Sequence, residues 1–423
     1  MSRNIQDFLR WLDAGISPYH CVQTAAQTLE QAGFAALELA APFSLTPGGK
    51  YYVKSGSFLA AFALGETPDH FRIAAAHTDW PCLKIKPDPE QLSGGCCKLS
   101  VEPYGGAILN TWMDRPLSLA GTVLLRTEQP MQPETRLIAW DEPLLTIPNL
   151  AIHLNREVNK GVATKPQIDM LPLCRLAQEG WNKKDYLLEQ MAAKLGCKKE
   201  DILSFDLNVY CLSKAQTLGF DGGLLSAPRI DNISSCHACI AALSEARAKG
   251  ISLAVLYDNE EIGSNTRRGG DSNTLSTLLE KIALSLGLDR AAYLDACLKG
   301  MLLSCDVAHA LHPNHPEMAD RSCAPKMGCG VALKQSPRYS TEAQTAAVVQ
   351  GLCKAEDIPL QMYMNRPDLP GGSTIGSMAS ALLAMPGADV GVPILAMHSA
   401  CELMGAQDQE ALCRLCKAFY EAL

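Results

Sequence analysis

Four short apolar runs, each closed at its C-terminal end by a side chain able to ligate a metal, constrain this sequence more than any other feature. Phe71–Ala76 ends in His77, and Ile251–Tyr257 is followed by Asp258, Glu260 and Glu261. Gly300–Cys305 is followed by Asp306, and Val392–Met397 by His398. Helical patterns such as Ile233–Lys249 lie between the runs. Short apolar runs alternating with helices predict buried strands in an α/β sheet with helices on both faces. In such a sheet the loops after the strands converge on one crevice. Two imidazoles and several carboxylates would then share a rim, together with Asp231, which stands in Pro228-Arg229-Ile230-Asp231-Asn232 just before a helix. That donor set suits Zn²⁺ or a similar divalent ion such as Mn²⁺ or Co²⁺, and one carboxylate can bridge two ions.

Each residue taken singly has a plainer explanation. Asp306 could be a helix cap, His398 a core histidine, and the adjacent carboxylates after Tyr257 a solvated helix start. Adjacent carboxylates repel one another unless they are solvated or neutralised by a cation. Their coincidence at four strand ends favours a site. Two other patterns weigh less. His309, His312 and His315 recur every three residues, but Pro313 and Pro316 prevent a regular helix from presenting them on one face. Cys236/Cys239 and Cys413/Cys416 form two Cys-x-x-Cys pairs. They lie inside helical patterns far apart in the chain, which fits buried helix-face thiols better than a compact zinc site.

Around the alternating segments the texture changes. Ser17 followed by Pro18 predicts an N-cap and first helical residue, with an amphipathic run towards Leu37. Between about Pro87 and Ser226, runs such as Ala107–Trp112, Leu117–Arg126 and Thr135–Trp140 are broken by Pro and Gly, with one helical piece at Lys184–Leu195. This predicts a β-rich domain over 88–226 inserted into a catalytic domain made of 1–87 and 227–423. The net charge of −8 argues against nucleic acid or an anionic membrane as partner. No apolar stretch is long enough to span a bilayer. The N-terminus lacks a signal-peptide core, so the 17 cysteines are expected as reduced thiols in the cytoplasm.

The residues at these positions resemble the aspartyl aminopeptidase family, the M18 metallopeptidases. The resemblance runs through Ala76-His77-Thr78-Asp79, Thr111-Trp112-Met113-Asp114-Arg115, Ala151-Ile152-His153-Leu154 and Pro228-Arg229-Ile230-Asp231-Asn232. It continues through Asp258-Asn259-Glu260-Glu261-Ile262-Gly263-Ser264, Asp306-Val307-Ala308-His309, Gly372-Ser373-Thr374-Ile375-Gly376 and Met397-His398-Ser399. It implies a binuclear aminopeptidase that removes N-terminal residues, Asp or Glu by preference. His77, Asp231 and Asp306 would hold one ion. Asp231 would bridge to a second, completed by Glu261 and His398. Glu260 corresponds to the general base, and Asp79 to the acid that orients His77. Lys334 aligns with a basic residue that receives the substrate's acidic side chain, and His309 would line the pocket. The insertion would be a dimerisation domain, with His153 reaching the neighbouring subunit's active site in dimers that build dodecamers. Trp80, Asn259 and Pro367 depart from the family pattern without removing a ligand.

Elementary chemistry leads to the same roles. Two ions about 3.5–4 Å apart can share a water and acidify it. Glu260, next to a ligand but not itself one, can carry its proton to the leaving amine. Three alternatives stay open at this point: a neutral or broad aminopeptidase of the same architecture, a catalytically silent scaffold, and a thiol oxidoreductase built on the cysteine pairs.

Overall fold

A computed structural model describes residues 3–161, 163–177, 180–369 and 371–422. The chain divides into two compact units, Met1–Asp79 with Ala215–Met397 and Glu402–Leu423, and Trp80–Lys214 with His398–Cys401. Among the described residues no helix is long and apolar enough to cross a membrane.

The first unit is built on a nine-stranded mixed sheet. Its centre is four mutually parallel strands in the order Ile251–Tyr257, Phe71–His77, Met301–Cys305 and Gly387–Gly391. Every residue of Ile251–Tyr257 is buried, as a strand covered on both faces requires. Phe71, Ile73 and Ala75 point into one apolar cluster, shared with helices Thr274–Ser285, Arg290–Leu298 and Ile375–Leu383. On the opposite face helix Ile230–Glu245 packs against Phe71–His77 and is flanked by helices Arg3–Ala14, Pro18–Gln31 and Asp408–Glu421. The sheet is therefore mixed α/β with helices on both faces, as the alternating runs predict. On one side it is extended by the antiparallel hairpin Lys50–Ser55 and Phe58–Leu64. On the other, Val331–Lys334 runs against Gly387–Gly391 and parallel to Leu360–Tyr363. A five-stranded sheet carries Gln216–Leu218, Leu224–Ala227, Glu402–Gly405, Pro393–Leu395 and Ala308–His309.

Local chemistry sets the element ends. Ser17 caps the second helix, its hydroxyl accepting from the His20 N–H at 3.3 Å, with Pro18 at the first helical position. That helix stops at Gln31 rather than running on towards Leu37, because Gly33 turns the chain at φ +83°.

The second unit is an antiparallel six-stranded sheet in the order Glu134–Ala139, Leu117–Leu125, Ile202–Cys211, Cys82–Ser93, Cys96–Tyr104 and Leu173–Leu176. Helix Tyr186–Leu195 lies where the sequence places it. Ala107–Trp112 holds no strand; Leu109–Trp112 is a 3₁₀ turn, closed by the Thr111 hydroxyl donating to the Ile108 carbonyl at 2.6 Å.

Candidate metal centre

The centre forms in the first unit where the parallel strands end. His77 is the last residue of its strand and is 1% exposed. Its Nδ1 faces the Asp79 carbonyl at 3.0 Å, with the Asp79 carboxylate at 3.4 Å. A carbonyl only accepts, so Nδ1 carries the hydrogen and Nε2 is the nitrogen that could ligate. That Nε2 lies 3.5 Å from Asp231 Oδ1 and 3.6 Å from Asp306 Oδ1.

Asp231 is delivered by the irregular start of helix Ile230–Glu245, where Arg229 is left-handed and Asp231 is non-helical at ψ 106°. Its N–H donates to Glu402 Oε2 at 2.9 Å, and the neighbouring Asn232 amide donates to the Cys305 carbonyl at 2.9 Å. Asp306 follows directly on Met301–Cys305. Its Oδ2 meets Lys334 Nζ at 3.4 Å, so the two oxygens of this carboxylate have different partners. Burial pushes the Asp306 carboxyl up, but Lys334 and His77 outweigh it and hold the group below its ordinary range. Burial likewise opposes protonation of His77, yet Asp306 and Asp79 raise it well above the usual histidine value.

Glu260 and Glu261 stand on a single 3₁₀ turn, Glu260–Ile262, entered through a left-handed Asn259. The Asp79 carboxylate accepts the N–H groups of both, at 3.2 and 3.1 Å. Asp79 thus fixes the imidazole mainly through its carbonyl and the glutamate turn through its side chain. Burial above all, with Asp306, Asp79 and Asp231 adding to it against the pull of His77, raises the Glu260 carboxyl to about 7. Asp258, though it shares the run of acids, has other partners: the Ser57 hydroxyl and, at 3.4 Å, Arg268.

The donor set fits a metal ion. One ligand atom each from His77, Asp231 and Asp306 lie within 4.8 Å of one another, and the same holds for His77, Glu260 and Glu261. Ligands about 2.0–2.1 Å from a tetrahedral Zn²⁺ sit roughly 3.3 Å apart. The observed 3.5 and 3.6 Å separations match that spacing closely.

The other expected residues have their own surroundings. Lys334 is only 2% exposed, with its ammonium on Asp306 and 5.3 Å above the Tyr339 ring. His309 is exposed at the end of Ala308–His309 and lines a cavity of about 330 Å³ with Tyr363, Asn365, Arg366 and Met397. In the second unit His153 sits exposed on a turn at 152–154, and His398 Nδ1 lies 3.2 Å from the Gly106 carbonyl. Sequence reasoning missed Glu402, the buried acceptor for Asp231. Its signal is an acid opening the otherwise apolar strand Glu402–Gly405.

Known proteins resemble this chain over nearly its whole length. A model of the family described as aminopeptidase I zinc metalloprotease (M18) matches residues 11–420. A probable M18 family aminopeptidase 2 of Clostridium novyi is 40% identical over 410 residues, spanning 95% of each chain. Ape4, in a cryo-EM structure of its complex with Nbr1, superimposes with a TM-score of 0.94 at 31% identity, over 99% of this chain and 85% of that one. The S. cerevisiae mApe1 dodecamer shares the fold, with a TM-score of 0.84 at 23% identity over 98% of this chain and 96% of that one. The chain therefore belongs to the M18 family and is a metalloaminopeptidase.

Proposed function

We propose that this aminopeptidase is binuclear and prefers substrates with an N-terminal Asp or Glu. The observation that supports this most is His77 Nε2 standing 3.5 and 3.6 Å from two carboxylates, with a half-buried Glu260 on the adjoining turn. His77, Asp231 and Asp306 would hold the first ion, zinc before manganese or cobalt. On the motif match, Asp231, Glu261 and His398 would hold a second ion. When bound, such ions polarise the scissile carbonyl and acidify a water.

Glu260 takes a proton from the attacking water and returns it to the leaving amine, its carboxyl kept basic by burial. Asp79 is a positioning residue that keeps Nδ1 of His77 protonated and the Glu260–Glu261 turn in place. Lys334 spends one donor on Asp306; an ammonium has three, and the others receive the acidic side chain of the substrate. His309 contributes to substrate binding from the wall of its cavity. By the same resemblance the second unit is a dimerisation domain, His153 assists the neighbouring subunit, and the dimers assemble further in the cytoplasm. A dodecameric relative of the same fold supports that assembly.

A second reading, a broad aminopeptidase, is favoured by the burial of Lys334 and its engagement by Asp306. Release of Asp, Glu and Leu from matched short peptides separates the two, measured on chelated and on metal-reconstituted protein. Metal-dependent release favouring the acidic residues is expected. Release of Leu equal to or above that of Asp would exclude the acidic preference, and no hydrolysis with any metal would exclude the binuclear mechanism.

A further inference from the structure

The two Cys-x-x-Cys pairs lie on helices Ile230–Glu245 and Asp408–Glu421, which pack against each other. Each pair splits. Cys236 turns to the His77 carbonyl at 3.0 Å, and Cys413 lies 3.8 Å from His237 Nδ1. Cys239 and Cys416 turn inward and meet Cys305, the last residue of strand Met301–Cys305. The three sulfurs lie within 4.8 Å of one another, with Cys305 and Cys416 at 3.8 Å, and all three residues are fully buried at 0% exposure. Three elements distant in sequence thus aim three soft donors at one point. None of these thiols has a part in the peptidase chemistry.

Charge decides what such a point accepts. Zinc asks for four ligands, and among the described residues this group has three. A divalent ion on three thiolates leaves a net charge of −1, and a monovalent ion leaves −2. Either would be enclosed in a core where unpaired charge is costly. Asp389, 0% exposed and close enough to act on Cys305, adds to that penalty. A trivalent thiophilic centre closes the triad with no charge at all.

We propose that Cys239, Cys305 and Cys416 form a three-sulfur site for trivalent arsenic, taken up as arsenous acid. Three S–H and three As–O bonds break, three As–S bonds form, and the hydroxyls leave as three waters. No electron is transferred and no charge is created. Entry requires local opening, for which the terminal helix carrying Cys416 is the natural leaf, so uptake is slow. Cys305 immediately precedes Asp306, so filling the triad disturbs a carboxylate of the metal centre and activity falls as arsenic accumulates.

The test is arsenic content per chain, with X-ray absorption to count sulfur neighbours, after the metal-loaded full-length enzyme is incubated with sodium arsenite and desalted. Wild type is expected to hold one arsenic bonded to three sulfurs. Cys416→Ser, which keeps the side-chain shape, and Cys239→Ser should each lose at least nine-tenths of it. Cys329→Ala, at an exposed thiol, should retain it in full. No arsenic on wild type, undiminished content in both serine variants, or a two-sulfur shell such as the neighbouring Cys97 and Cys174 would give, overturns the site. Arsenic content is read without turnover, so a negative result here leaves the peptidase assignment where it stands.

Discussion

On the proposed reading, the buried cation of Lys334 serves two ends. With its ammonium 3.4 Å from Asp306 Oδ2, it turns the other carboxylate oxygen towards His77. Partners of this kind are worth about 10–100-fold in metal affinity. Lys334→Met should therefore weaken ion binding by about that factor, and it should also collapse the ratio of aspartyl to leucyl turnover. An unchanged ratio would remove the specificity role; unchanged ion affinity would remove the positioning role. Away from the centre, the hydrogen bond to His237 lowers Asp7 from 3.8 to about 2. The folded state thus holds this proton less tightly than the unfolded chain, so the pair stabilises most above the ordinary Asp range and loses its benefit as pH falls towards 2. Denaturation of wild type and Asp7→Asn across that range should show a gap at neutral pH that closes in acid. A gap independent of pH would contradict the pairing.

At the scale of elements, the meeting of His77 and Asp306 was legible because apolar strands end in polar side chains, and parallel strands bring those ends together. Lys334 was harder to place because Val331–Lys334 runs antiparallel to its neighbour, so strand order alone does not bring its last residue to the rim. Glu402 was hidden for a related reason: it belongs to the second, five-stranded sheet, whose pairing no single run reveals. Strand Gly387–Gly391 adds a constraint on the site. A Cβ at Gly391 would come within 1.8 Å of the Asp306 carbonyl oxygen, which is backbone and cannot swing aside. Gly391→Ala should therefore cost about 1–3 kcal/mol in stability and should lower ion affinity. A variant with wild-type stability and ion content would show that the strand yields there at no cost.

Across the whole molecule, the sequence carried the sheet-and-helix alternation, since it rests on local periodicity. It could not carry the convergence of Cys239, Cys305 and Cys416, which depends on how two helices pack on one strand. The metal centre gathers His77, Asp79, Asp231, Glu260, Glu261 and Asp306 within one unit, and mutual repulsion among these acids opposes folding until cations arrive. Anything that binds only the folded state raises its stability by mass action. Chelation should accordingly lower Tm, and restored zinc should recover it in proportion to free ion. A Tm indifferent to both would mean that ions do not hold this centre.

The most direct measurement is ion content and peptide turnover on the same preparation of Glu260→Gln. With Glu260 as the proton carrier and His77, Asp231 and Asp306 as ligands, the variant should bind its full complement of metal while kcat falls about 10²–10⁴-fold. Full metal content with near-normal turnover would contradict the account.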